Sequence, residues 1–291
     1  MNHDKLNAYN VVWNTPSADS SGSMPLGNGD IGLNVWVEQN GDLLFYISKS
    51  DAWNENARLL KLGRVRVSVS FSPNPFVQGT TFQQTLKLLE GEIEIIAGQP
   101  DSSFIIRIWV DANQPVINVE TNSGHAIEVH VTLECWRTQF RELTGAETAS
   151  AYGLHGGPNP IIESPDTILD ESKTDSRIIW FHRNPTSIWS DNLELQGLGN
   201  MVEKSTDPLL NNTFGAVIQG IGFTLENDSS LVSQQHCDRH LIRIYPYTQQ
   251  TSGVEGWIAG VEAHIGRIEG TNLGSGLIGV HFRHDLLPLW K

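Results

Sequence analysis

Arg64-Val65-Arg66-Val67-Ser68-Val69-Ser70-Phe71 places an apolar side chain at every second position, with arginine or serine between. A period of two sets Val65, Val67, Val69 and Phe71 on one face of an extended chain and the polar residues on the other. That is an antiparallel strand with one buried face. The pattern continues in both directions. Upstream, Val35 and Val37, then Leu43, Phe45 and Ile47, flank Asn40-Gly41-Asp42 and predict a hairpin. Downstream, residues 81–89 and 92–97 flank Glu90-Gly91. Segments 104–110, 116–120 and 127–134 follow, separated by Asp111-Ala112-Asn113 and Asn122-Ser123-Gly124, and 178–182, 214–221 and 241–247 close the series. Strands about ten residues apart with turn residues between them indicate an all-β sandwich of two antiparallel sheets.

Helical periodicity is almost absent, apart from 52–62, which reads as one or two turns. The stretch 138–176 is weakly patterned, carries Gly156-Gly157-Pro158-Asn159-Pro160 and the acidic residues Asp166, Asp170, Glu171 and Asp175, and reads as a long functional loop. No internal repeat or sharp boundary divides the chain. The expected organisation is one β-domain over 1–265 and a C-terminal segment 266–291, glycine-rich then apolar, forming a final strand or a loose tail.

Composition narrows the function. The 291 residues carry 33 acidic against 19 basic side chains, a net charge of −14, with no Lys/Arg block. Nucleic acid and an anionic membrane are rejected as partners, and a neutral sugar, a cationic ligand or a metal is compatible. No apolar run approaches membrane-spanning length, and Met1-Asn2-His3-Asp4-Lys5 lacks the features of a secretory signal. Cys135 and Cys237 do not make a disulfide framework.

In Met24–Trp36, glycines 27, 29 and 32 frame Asn28 and Asp30 in a tight polar turn leading into an apolar strand. The motif Pro25-Leu26-Gly27-Asn28-Gly29-Asp30-Ile31-Gly32 resembles the one that opens the N-terminal β-domain of glycoside hydrolase family 95 α-fucosidases. Ser48-Lys49-Ser50-Asp51-Ala52-Trp53 resembles that family's next conserved segment. A bacterial branch of the same domain, itself a domain of unknown function, is more similar still. Its expected run, Leu59 through Val67, then His182-Arg183-Asn184, Asp207-Pro208-Leu209 and Asn212-Thr213-Phe214-Gly215, is present in order.

The resemblance spans roughly Val11 to Trp257 and implies a galactose-mutarotase-like β-supersandwich, with export to the periplasm or beyond. In the family this domain leads into an (α/α)₆ barrel that carries the general acid and base. Residues 266–291 do not look like that continuation, so no catalytic pair is carried over. The expectation is a non-catalytic domain that packs on a helical catalytic body absent from this chain, with a homodimer through the orphaned surface as a further expectation. A free-standing carbohydrate-binding module and a ligand-free interaction domain are the alternatives.

Glycoside hydrolysis needs two carboxylates about 5 Å apart for retention or about 6.5–9.5 Å for inversion. Asp30, Asp51, Glu55, Glu163 and Asp166 are candidates, and nothing in the spacing pairs them. Asp30 and Asp51 also read as turn caps. Sugar recognition asks for a flat aromatic beside planar polar groups. Trp53 with Asn54, Glu55 and Asn56 offers that mixture, with Trp189 and Trp36 as further aromatics. Trp36, Trp109 and Trp180 lie in strand-like runs and read first as core. His182 and Asn184 share a face at a strand end before Pro185, opposite Arg183, and form either a ligand-facing rim or support for the loop beneath. His236, Asp238 and His240 would share a strand face, a known ligand combination, but a solvated face is the expectation. No metal and no cofactor are expected. The site residues expected from sequence are therefore Asn28, Asp30, Asp51, Trp53, Glu55, His182, Asn184 and Trp189.

Overall fold

A computed structural model describes residues 3–71, 74–76, 80–99, 103–151, 160–170 and 174–274. A short helix α1 (His3–Asn7) precedes β1 (Val11–Trp13), β2 (Met24–Gly27), β3 (Ile31–Val37), β4 (Leu43–Trp53), β5 (Leu59–Ser70) and β6 (Thr81–Lys87). Then come β7 (Glu92–Gly98), β8 (Phe104–Val110), β9 (Ile117–Glu134), β10 (Arg141–Glu142), β11 (Ile162–Glu163), β12 (Thr167–Ile168) and β13 (Ile178–Arg183). Helix α2 (Trp189–Leu195) is followed by β14 (Asn212–Gly220), β15 (Phe223–Asn227), β16 (Ser230–Ser233), β17 (Cys237–Gln250) and α3 (Val254–Gly274).

The expected all-β antiparallel architecture forms. One layer runs β1-β6-β7-β8-β9-β17-β14-β13-β12, and the other links β2-β3-β4-β5-β9-β16-β15. Strand β9 belongs to both. Its first half pairs with β8 and β17 through Ile117–Ser123, and its second half pairs with β5 and β16 through Glu128–Glu134. The sequence reading splits β9 at Asn122-Ser123-Gly124. The chain instead stays extended there while it passes from one layer to the other.

The alternation of Arg64–Phe71 is realised. Val65 and Val67 are fully buried opposite Ile93, Ile106, Val119 and Ile242 in one core shared by both layers. The outward arginines are paired instead: Arg66 donates to Glu134, Glu38 and Asp42, and Arg64 to Glu134. Segment 52–62 is not helical. It is the end of β4, a tight turn and the start of β5.

The largest departure is α3. It covers the outer face of β13, β14 and β17, where Trp257, Val261, Ile265 and Ile268 pack on Ile179, Phe181, Val217 and Tyr245. That cover explains why 178–181 is apolar without alternation: Ile178 and Trp180 face the inner core, Ile179 and Phe181 the helix. Residues 266–274 are therefore helix rather than strand, and the remainder of the expected C-terminal segment lies outside the described residues. Among the described residues no helix is long and apolar enough to cross a membrane.

Candidate functional site

At one end of the sandwich the β2–β3 turn, the end of β4, the end of β13 and the start of β14 come together. Asn28 builds the first turn. Its Oδ1 accepts the amides of Asp30 (3.0 Å) and Ile31 (2.9 Å), and its Nδ2 donates to the Asp111 carbonyl (2.9 Å). The turn cap is thus Asn28 rather than Asp30. Gly29 holds φ at +95°, so Gly29→Ala meets open space yet forces a side chain into left-handed backbone. The expected loss is about 1–2 kcal/mol, read as a shift in the urea midpoint.

Asp30 lies against the end of β4. Its backbone oxygen accepts the Ser50 amide (2.9 Å), and its carboxylate accepts from Ser50 Oγ (2.7 Å) and Lys49 Nζ (3.1 Å). The same ammonium donates to both oxygens of Asp51, at 2.9 Å each. Lys49 is nearly buried, while the Asp30 and Asp51 side chains are 41% and 50% exposed. Trp53 is 42% exposed, and its indole Nε1 is tied to the Ser50 carbonyl at 3.1 Å. Asn28, Asp30, Asp51 and Trp53 are therefore brought to one rim.

Beneath the rim the other expected residues turn inward. Asn54 Oδ1 accepts the amides of Asn56 (3.0 Å) and Arg58 (2.9 Å), closing the turn between β4 and β5 and burying Asn54, Glu55 and Asn56. Asn184 Nδ2 donates to the carbonyls of Trp53 (3.0 Å) and Leu209 (2.8 Å). Asn212 Nδ2 donates to the Trp53 carbonyl as well (3.1 Å). Trp189 opens α2, which is fastened to the site where the Ile188 amide meets the Glu55 carbonyl at 3.0 Å.

The centre of this interior is a chain of charges. Glu55 Oε2 lies 2.9 Å from His182 Nε2, and Asp166 Oδ1 lies 2.9 Å from His182 Nδ1. Arg137 closes the chain on Asp166 with Nε at 2.9 Å and Nη2 at 2.8 Å, and also donates to the Lys61 carbonyl (2.7 Å). Ser164 donates its amide to Glu55 Oε1 (2.6 Å), and Cys135 Sγ donates to Asp166 Oδ2 (3.0 Å). The side chains of Glu55, Asp166, His182 and Arg137 are no more than 5% exposed. The His182 ring stacks on Phe214 at 5.0 Å.

Burial alone would push the Glu55 carboxyl up and the His182 imidazolium down. The hydrogen bonds and charges of the cluster win in both cases, so Glu55 sits below its ordinary range and His182 above. Burial, with Asp166 beside it, pushes the Cys135 thiol well up, so it is a hydrogen-bond donor and not a nucleophile. Two carboxylates around an imidazole look like a catalytic relay. Buried this deeply, the cluster ties the β4–β5 turn to β13.

Sequence reasoning named Glu55, His182 and Asp166 but missed Arg137 and Cys135, which no local pattern marks. Glu163, another candidate carboxylate, is held by Arg58 and Arg141. His236 and Asp238 are exposed while His240 is buried against Thr121 (3.2 Å), because the β9–β17 register shifts between Cys237 and Arg239. The expected shared face does not form. No group of three or more His, Cys, Asp or Glu side chains among the described residues is arranged to hold a metal ion. A shallow cleft of about 310 Å³ lined by Trp13, Thr15, Pro16 and Ser17 lies at the other end of β3, where the Ser17 amide meets the Val37 carbonyl.

The model of the DUF5703_N family, described as a domain of unknown function (DUF5703), matches residues 12–272. No curated protein matches the chain.

Proposed function

We propose a function that starts from one fact: the chain belongs to the DUF5703_N family. It is a non-catalytic β-domain of a glycoside hydrolase-like protein, and its rim forms one wall of a carbohydrate cleft. The observation that carries this reading is Trp53. Its indole is half-exposed, fixed through Nε1 to the Ser50 carbonyl, and flanked by the exposed carboxylates of Asp30 and Asp51. A held aromatic plane beside planar hydrogen-bonding groups is what the face and hydroxyls of a pyranose require. The resemblance of residues 25–32 and 48–53 to family 95 glycoside hydrolases supports the same reading, because those two segments build the rim. Glu55 and Asp166 are too buried to act on a sugar, which supports a domain without its own chemistry.

Calorimetric titration with neutral oligosaccharides tests it. Trp53→Ala should weaken binding by at least about tenfold, roughly 1.4 kcal/mol. It should change unfolding stability by no more than about 1 kcal/mol. Heat from no glycan in the panel would overturn the carbohydrate reading. Turnover of an aryl-glycoside, abolished by changing a single carboxylate, would overturn the non-catalytic one.

A second reading has its own observation. Leu59, Leu195, Leu198, Met201 and Leu210 are large apolar side chains, each at least 38% exposed, on segments anchored around Trp53. Such a surface suits docking onto another folded body, the helical catalytic domain that the resemblance implies or a second copy of this chain. Concentration-dependent dimerisation in sedimentation that Leu195→Glu abolishes would favour the second copy.

A further inference from the structure

We propose that His182 is held as an imidazolium and works as a proton-operated latch between the two layers. While doubly protonated it fastens the Glu55 side chain of the β4–β5 turn to β13, and loss of one proton loosens that turn. This inference does not depend on what the rim binds.

The argument is a proton count. Both ring nitrogens of His182 face carboxylate oxygens at 2.9 Å. An ionised carboxylate only accepts, and a neutral imidazole has a single N–H to give. Asp166 is committed as an anion by the two-point contact with Arg137, and Glu55 accepts the Ser164 amide through its other oxygen. With the Glu55 carboxyl also held below its ordinary range, both facing oxygens are acceptors; two donors are then needed on the ring, and the imidazolium supplies them. Glu55, His182, Asp166 and Arg137 then sum to zero charge, with side chains no more than 5% exposed. When the proton leaves to solvent, the cluster carries one uncompensated negative charge. A nitrogen lone pair then faces a carboxylate oxygen at hydrogen-bond distance.

Among the described residues nothing else in the surroundings compensates that charge. Arg137 and the Cys135 thiol face Asp166, not the ring. Phe214 stacks on the imidazole from β14 and carries no charge. On β13 itself Arg183 points away, to Asn211, Thr213 and Thr251, and Asn184 is neutral. Glu163 nearby is already paired with Arg58 and Arg141. Asp166 is pinned by Arg137 and His182 is held by the backbone pairing of β13 with β14, so the Glu55 side chain gives. Glu55 stands in a turn whose neighbours, Trp53 and Asn54, form the rim and its base.

The sign follows from the direction of each shift. The His182 contribution is complete below its ordinary value of about 6.5 and is lost as pH rises through its raised folded value. The Glu55 contribution is present above the ordinary carboxyl range and is lost as pH falls through its lowered value. The latch holds between those limits and opens on the alkaline side by loss of the His182 proton.

The test uses the full chain labelled with ¹⁵N. Imidazole nitrogen shifts of His182 should report two protonated nitrogens at neutral pH and titrate above the ordinary value of about 6.5. Amide exchange of residues 53–58, corrected for its intrinsic pH dependence, should rise at least about tenfold through the same midpoint, with the far-UV spectrum unchanged. Glu55→Gln removes one clamp and should lower the midpoint by about one unit or more, a tenfold change in proton affinity. A neutral tautomer at pH 7, exchange that ignores the titration, an unmoved midpoint in Glu55→Gln, or unfolding of the whole chain at the midpoint would each overturn the latch.

Discussion

Asp166→Ala should cost about 3–5 kcal/mol of stability, because it strips a buried guanidinium of its partner rather than removing a surface ion pair. The Arg137 and Asp166 side chains are 5% and 2% exposed, and they meet through two contacts. Without Asp166, Arg137 keeps the Lys61 carbonyl and the face of the Trp136 ring (5.2 Å), and His182 loses the acceptor for Nδ1. The Cys135 thiol loses its acceptor at the same time. Urea unfolding with the slope held common to both proteins measures the loss. The double replacement Arg137→Met with Asp166→Leu separates charge burial from packing. It removes both charges and keeps volume, so it should recover most of the deficit. A loss below about 1 kcal/mol for Asp166→Ala would mean that water reaches the cluster.

The difference between what the sequence shows and what it conceals follows from the range of the forces involved. Val65, Val67 and Val69 declare a strand because the two faces of a half-buried sheet impose a period of two on neighbouring residues. Ile178–Phe181 declares a strand but not its cover, since an uninterrupted apolar run looks the same whichever element buries the second face. The cover itself, α3, was legible only in retrospect. Trp257, Val261, Ile265 and Ile268 recur at helical spacing, but Gly256, Gly260, Gly266 and Gly270 between them depress every local propensity. Segment 52–62 errs in the opposite sense, because the Asn54 side chain folds a tight turn there and Ala57 accepts φ of +53°. At the site, the rim was readable because Asn28 and Asp30 sit in a glycine-framed turn and Trp53 lies in a polar run. The buried cluster was not. Glu55 and His182 are 127 residues apart in sequence, and only the register of β13 beside β14, with β4 across the core, brings them together.

Trp257→Ala should cost a further class of stability, about 3–5 kcal/mol, and should release one element rather than the whole fold. The indole is fully buried. It packs on Phe181 at 5.3 Å and Tyr247 at 6.2 Å, and its Nε1 lies 3.4 Å from the Tyr247 carbonyl. The helix comes so close to β17 that a Cβ on Gly260 would stand 2.4 Å from Gln249 Oε1 and 2.7 Å from Tyr247 Oη. Four interior glycines at about 1 kcal/mol each leave α3 no stability of its own, so docking is what makes it a helix. Its other ties include the ion pairs Arg177–Glu262 (2.8 Å) and Arg243–Glu269 (2.7 Å), the Tyr245 hydroxyl on Glu269 and the Tyr247–His264 ring contact, which are partly exposed and weak substitutes for the lost apolar contact. Amide exchange should therefore accelerate along residues 254–270 and on the outer face of β17 before it does in β5 or β9, whose side chains belong to the inner core. Trp257→Phe should retain roughly half of the stabilisation, since the ring contacts survive and the volume does not. Uniform acceleration across both layers would show instead that α3 and the sandwich unfold as one cooperative unit.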